Sequence, residues 1–299
     1  MLTPQIIDTV VRAALLEDAP WGDLTSQLLI PSEAYATARL VAREPGVFSG
    51  GAVLVATMNA TDVSIVTELL LDDGESFAEG AELAVVSGPA RAVLQAERVA
   101  LNLVQRMSGI ATLTAAYVRE VAHTSAWIVD TRKTTPGLRA FERHAVRSGG
   151  GHNHRFSLSD AVMAKDNHLA VLAANSGLNV TDALLAVRSQ LSHTTHLEVE
   201  VDRLDQIEPV LAAGVDTIML DNFGIDELRE GVALVAGRAI VEASGGVTLS
   251  TVRAIAETGV DVISVGALTH SARALDLGLD VDIVGDVDAA GAIVPAGAP

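Results

Sequence analysis

Leu197–Gly266 reads LEVEVDRLDQIEPVLAAGVDTIMLDNFGIDELREGVALVAGRAIVEASGGVTLSTVRAIAETGVDVISVG. Four short apolar runs stand out: Leu197–Val201, Thr217–Asp221, Ala239–Ala243 and Val262–Gly266. Their starts lie 20 to 23 residues apart. Helical patterns fill the gaps at Leu204–Ala213, Asp226–Ala236 and Leu249–Thr258. Strands alternating with helices at this pitch form βα units and a parallel sheet. Nearly continuous apolar strands imply burial on both faces. Upstream, Trp127–Asp130 (WIVD) and Ala161–Lys165 (AVMAK) supply two more strands, and Thr181–Gln190 another helix. Six units fall short of the eight strands and roughly 250 residues of a closed barrel. An incomplete, six- or seven-stranded α/β barrel is expected, with an open doubly wound sheet as the alternative.

The first part of the chain has another texture. Ala36–Ala42 alternates, Glu44–Gly46 is a Pro–Gly turn, and Val63–Leu71 is a second strand pattern ending at the turn Asp72–Gly74. Short strands continue to Val86, and Ala90–Arg106 reads as a long helix leading into the barrel. This describes a small mixed α/β domain. Its Asp72–Gly80 run has a faint likeness to a lipoyl-carrier hairpin, but the domain contains no lysine to modify. The Ala/Gly/Pro-rich tail beyond Gly285 is expected to fray.

Composition narrows the function. A formal charge of −18 excludes a general nucleic-acid surface, which needs clustered cations. The absence of cysteine excludes disulfides and thiolate chemistry. No apolar run is long enough to span a bilayer, and Met1–Pro20 lacks a basic leader, so a cytoplasmic protein is expected. The chain has only two lysines, Lys133 and Lys165, and both fall between Asp130 and His168. That segment holds seven basic and four acidic residues, a formal +3 in an acidic protein.

In α/β sheets and barrels the reactive groups stand at the C-terminal strand ends. Here those ends carry Asp130 with Thr131, Arg132 and Lys133, then Lys165, Glu200, Asp221, Ser244-Gly245-Gly246 and Gly266. Glycine turns before helices suit phosphate. Gly137–Ser148 reads as a helix stopped by Gly149–Gly151, and Arg139, Arg143 and Arg147 share its spacing, which fits solvated or subunit-contacting roles. Arg132, Lys133, His154, Arg155 and Lys165 lie off that helix and are the better site candidates, with a core role open for His154. Such a rim suits carboxylates on arginine forks and phosphates on lysines and glycine amides. Glu200 and Asp221 would then hold Mg²⁺ or ribose hydroxyls. A sugar diphosphate plus a carboxylic acid is the implied substrate pair.

DTRKTTPGLR (Asp130–Arg139), GGGHNHR (Gly149–Arg155), AKDNH (Ala164–His168), EVEVD (Glu198–Asp202), MLDNF (Met219–Phe223), EASGG (Glu242–Gly246) and VGALTH (Val265–His270) together resemble the quinolinate phosphoribosyltransferase family. EDAPWGDLTS at Glu17–Ser26 and AERVALN at Ala96–Asn102 extend the resemblance over nearly the whole chain. It implies Mg²⁺-dependent conversion of quinolinate and phosphoribosyl diphosphate to nicotinate mononucleotide, CO₂ and diphosphate. It also implies an N-terminal α/β sandwich (1–109), an incomplete barrel (110–275) and a C-terminal segment (276–299) returning to the first domain. By the same resemblance the protein is a homodimer, with Arg98 reaching the neighbouring subunit's site. Arg132, His154 and Arg155 would bind the quinolinate carboxylates. Lys133 and Lys165 would face diphosphate and substrate, and Glu200 and Asp221 ribose and Mg²⁺. Ser244, Gly245, Gly246 and Gly266 would cradle the 5′-phosphate, with His270 nearby. Other readings of the residues are a Schiff-base aldolase acting through Lys165, a related transferase with another acceptor, and a non-catalytic anion binder.

Overall fold

The computed structural model describes residues 2–165, 167–169, 171, 177–283, 286–287 and 293–294. Asp166, counted in the basic segment, lies outside them. So does the tail beyond Gly285, apart from an antiparallel pairing of Asp286–Val287 with Ile293–Val294. The chain divides into two compact units. One comprises Met1–Leu113, Thr135–Gly150 and Ala272–Pro299; the other comprises Thr114–Thr134 and Gly151–Ser271.

The first unit opens with helices α1 (Pro4–Asp18) and α2 (Leu24–Leu29). Thr3 and Asp23 cap them, each accepting from a backbone N–H three residues on. Strands β1 (Tyr35–Ala42), β2 (Gly46–Val47), β3 (Val66–Leu69), β4 (Ser76–Phe77) and β5 (Glu82–Pro89) follow, with α3 (Gly51–Thr61) between β2 and β3. The main antiparallel sheet runs Leu277–Ile283, β1, β5, β3. Its period-2 pattern buries Ala36, Ala38, Leu40 and Ala42 on one face. Leu54 and Met58 of α3 and Val93, Ala96, Ala100 and Val104 of α4 (Ala90–Val121) pack with Ala38, Leu40 and Ala42.

Helix α4 spans Ala90–Val121, well beyond the expected end at Arg106, and passes through the expected domain boundary near 109. Gly109 lies inside it. A Cβ there would sit 1.9 Å from the Arg273 carbonyl oxygen, so only glycine lets the returning chain lie against the helix. Gly109→Ala should therefore destabilise the protein by about 3 kcal/mol, read by chemical denaturation, because backbone cannot yield as a side chain can. A midpoint unchanged within error would refute that close approach.

Helix α5 (Arg139–Ser148) groups with this unit. Its Glu142 is fully buried and accepts hydrogen bonds from Arg106 Nη2 at 2.8 Å, Thr135 N at 3.1 Å and Thr135 Oγ1 at 2.8 Å. His144 Nε2 meets Asp73 Oδ2 at 2.6 Å, while Asp73 Oδ1 accepts from the Gly50 and Gly51 amides. Burial alone would raise the Asp73 carboxyl. The His144 hydrogen bond and the two amides outweigh it and hold the group below its ordinary value.

The second unit contains β6 (Trp127–Val129), β7 (Val162–Ala164), β8 (Leu197–Val201), β9 (Thr217–Asp221), β10 (Ile240–Ser244) and β11 (Val262–Ser264). All pairings are parallel and the order is β7-β8-β9-β10-β11-β6. Chain neighbours are sheet neighbours, and β6 returns beside β11. The sheet is thus a six-stranded barrel with one seam, between β6 and β7. His152 lies along that seam: its N–H donates to Ile128 O and its carbonyl accepts from Asp130 N. Its ring stacks on Trp127 at a centroid separation of 4.4 Å.

Strand β8 is buried on both faces, as expected, but is apolar on only one of them. Leu197, Val199 and Val201 are buried on one side, while Glu198 and Glu200 share the other, towards the barrel interior. Period-2 alternation thus places carboxylates inside the barrel, in two successive layers.

Candidate active site

The C-terminal strand ends surround a cleft of about 390 Å³. Thr131, Arg132, Lys133, His154, Arg155, Lys165, Glu200, Asp221 and Ser244 all line it, as expected from the sequence. Gly266 adjoins the same wall: a Cβ there would come within 3.2 Å of Lys133 Cδ and 3.0 Å of His270 Nε2. Gly245 (φ +91°) and Gly246 (φ +60°) form a left-handed turn after Ser244, a backbone that side chains rarely adopt. Arg98 belongs to the other unit, on α4, where it is exposed.

The loop after β6 is held from several sides. Lys133 N donates to Thr131 Oγ1 at 3.1 Å, and Thr269 Oγ1 donates to the Lys133 carbonyl at 2.8 Å. Asp130, fully buried at the end of β6, accepts from the His154 amide at 2.8 Å and from Asn153 Nδ2 at 2.6 Å. Across the seam, Arg155 Nη1 donates to Ala161 O at 3.0 Å and Nη2 to Met163 Sδ at 3.6 Å. Burial, and then the charge of nearby Arg132, push the Arg155 guanidinium below its ordinary value. A single anion between the two guanidinium groups would relieve both effects. On the facing strands Lys165 pairs with Glu200, and Asp221 accepts from Asn222 Nδ2 at 2.7 Å.

Sequence reasoning did not single out the layer beneath. His154 Nε2 stands 3.2 Å from Glu198 Oε2 and 3.5 Å from Glu242 Oε1, and both carboxylates are about nineteen-twentieths buried. Only the first is a hydrogen bond; Glu242 Oε1 has no hydrogen-bond partner among the described residues. Burial by itself would lower the imidazole. The Glu198 hydrogen bond and the charges of both glutamates outweigh it and raise His154 to about 10. The Arg155 amide pulls the other way: it donates to Nδ1 at 2.7 Å, which favours a ring protonated at Nε2 alone. Both influences put a proton on Nε2. The three side chains have the spacing of a metal-binding group, but with Nε2 protonated the imidazole has no lone pair to give a cation. Burial, and then the neighbouring charge of Glu242, push the Glu198 carboxyl up. Period-2 reading of EVEVD and EASGG from the rim residues inward would have found both glutamates. Met163, Met219 and Ser264 also line the cleft, and the two methionines add apolar surface to it.

An incomplete parallel barrel whose rim sets arginine forks and two lysines against paired carboxylates defines an α/β-barrel enzyme of anionic, phosphate-bearing substrates. The comparisons agree with that class. The N-terminal domain model of quinolinate phosphoribosyl transferase matches residues 23–108, and its C-terminal domain model matches 110–280. The chain is 43% identical over 277 residues to a nicotinate-nucleotide pyrophosphorylase [carboxylating] of Mycobacterium leprae, covering 91% of this chain and 95% of that one. It is 42% identical over 268 residues to a probable enzyme of the same name from Bacillus subtilis, covering 90% and 91%. The crystal structure of NadC from Streptococcus pyogenes superposes with a TM-score of 0.90 at 38% identity, covering 95% of this chain and 99% of that one. The chain belongs to the quinolinate phosphoribosyltransferase family.

Proposed function

We propose that this enzyme transfers the phosphoribosyl group of phosphoribosyl diphosphate to quinolinate, with decarboxylation, as a step of NAD biosynthesis. The observation that carries the reading is the charge layout of one cleft. Arg132, Arg155, Lys133 and Lys165 line it together with Glu200 and Asp221. The names of the relatives point the same way.

The roles follow from the chemistry. Arg132 and Arg155 hold the two ring carboxylates, and the apolar surface of Met163 and Met219 accepts the ring. His154 lines the same subsite, with both ring nitrogens engaged by the protein. Ser244, Gly245, Gly246 and Gly266 offer backbone amides and a hydroxyl to the 5′-phosphate. The ring nitrogen attacks C1 of the ribose; the C1–O bond breaks and its electron pair leaves with diphosphate. The ring then carries positive charge. The bond to the adjacent carboxylate breaks, CO₂ departs, and the electron pair left on that carbon takes a proton. Lys133 and Lys165 offset charge on the leaving group, and positioning supplies much of the rate. No enzyme nucleophile is required. Lys165 is paired with Glu200.

Glu200 and Asp221 end adjacent strands and are hard oxygen donors, which fits Mg²⁺ shared with substrate phosphates. Bound there, Mg²⁺ would neutralise charge on the diphosphate. The proposal includes a homodimer in which the partner subunit's Arg98 reaches this cleft. Its support is the exposure of Arg98 and of the large apolar side chains Trp21, Leu24, Leu28 and Leu29, which lie close together in the sequence. A cytoplasmic setting is part of the same reading; among the described residues no helix is long and apolar enough to cross a membrane.

The test is diphosphate release with quinolinate, phosphoribosyl diphosphate and Mg²⁺, run beside nicotinate and other pyridine acids. Release with quinolinate alone is expected. No release with quinolinate would sink the proposal, and preference for another acid would reassign the acceptor.

A further inference from the structure

Asp221 and Ser244 are register partners at the ends of β9 and β10, and both line the cleft. Asn222 lies between them. Its backbone is in the left-handed region (φ 60°), one of only two non-glycine residues so placed among the described ones. Asparagine tolerates that conformation better than most side chains. The conformation turns the Asn222 N–H onto Ser244 O at 2.9 Å. It also lets Nδ2 donate to Asp221 Oδ2 at 2.7 Å. The same side chain is packed on Gly245: a Cβ at that glycine would fall 2.2 Å from Asn222 Oδ1 and 2.7 Å from its Cγ. One amide group thus touches the Asp221 carboxylate on one side and the glycine turn on the other.

We infer that Asn222 is a positioning residue that locks the Asp221 carboxylate to the Ser244-Gly245-Gly246 turn, so that the two act as one rigid wall of the phosphoribosyl subsite. The inference rests on the functional reading above. It assigns to Asn222 no contact with substrate. Asp221 alone could rotate about its side-chain torsions, and the turn alone has two successive left-handed glycines with high conformational freedom. Asn222 limits both motions through its amide. Groups that orient a ligand-holding carboxylate in this way commonly change affinity or activity about 10–100-fold when removed.

Two variants separate the amide from the backbone. Asn222→Gly keeps the left-handed backbone without strain and deletes the amide. Asn222→Asp keeps the shape and the acceptor but loses the donor to Asp221. Both should raise KM for phosphoribosyl diphosphate about tenfold and lower kcat, while KM for quinolinate and the melting temperature hold. Unchanged kinetics in both variants would overturn the inference. So would an equal rise in both KM values with a lower melting temperature, which marks a merely structural residue. Hydrogen exchange at the Gly245 and Gly246 amides gives a readout independent of turnover. Faster exchange in Asn222→Gly is expected, and unchanged exchange counts against the lock. Wild-type protein that released no diphosphate would sink the functional reading, while the exchange result would still decide the lock.

Discussion

Lys165→Met should lower kcat by about a hundredfold or more while leaving the fold intact, read as diphosphate release and a melting curve. The side chain ends β7, lines the cleft and pairs with Glu200. It is one of two lysines in a chain that uses arginine for every other cationic side chain apart from histidine. In the proposed reaction negative charge grows on the departing diphosphate, and a fixed ammonium is worth more there than in the ground state. Stability should barely move. The lysine side chain is 46% exposed, and a solvent-screened pair of this kind contributes at most about 1 kcal/mol. Lys165→Arg should recover only part of the rate, because a planar fork cannot replace a compact point charge at the same distance. Turnover within threefold of wild type in the methionine variant would remove Lys165 from the mechanism.

Asp130→Ala should cost both stability and activity. Its carboxylate is fully buried and accepts from the His154 amide and from Asn153 Nδ2. Deletion removes the buried acceptor that both donors share, a loss of about 3 kcal/mol by chemical denaturation. The same bonds set the backbone entering Arg155, and the neighbouring strand residue Val129 bridges His152 along the barrel seam. A shift of an ångström there moves two of the cations meant for the ring carboxylates, so kcat/KM should fall about a hundredfold. Asp130→Asn keeps one acceptor and should lose less of each. A full alanine effect on activity with stability unchanged would mean that Asp130 acts in the chemistry and not through the loop.

The strand ends were legible before any coordinates because the βα rhythm is local. Apolar runs recurring every 20 to 23 residues give parallel strands, and parallel strands place their C-terminal residues on one rim. Thr131 to Lys133, Lys165, Glu200, Asp221 and Ser244 follow from that logic, and all meet in the cleft. The extent of α4 was not legible. The close approach of Arg273 O, which explains a glycine at position 109 of the helix, is a tertiary contact. Nor was Glu142 legible. In sequence it is one charge on an arginine-rich helix, and only packing reveals it as the buried acceptor for Arg106 and Thr135.

The sequence by itself therefore determined the barrel's rhythm, its single rim and the cations Arg132, Lys133, Arg155 and Lys165 that line it, because periodicity and strand-end chemistry are properties of neighbours in the chain. Tertiary structure decided what lies under that rim: the pairing of His152 with β6 along the seam, the buried Glu198–His154–Glu242 layer, and the amide of Asn222 between Asp221 and Gly245. Each of these joins residues far apart in sequence or depends on a backbone torsion. Burial, which turns an ordinary glutamate into a partner for histidine, arises only when strands from distant segments enclose it.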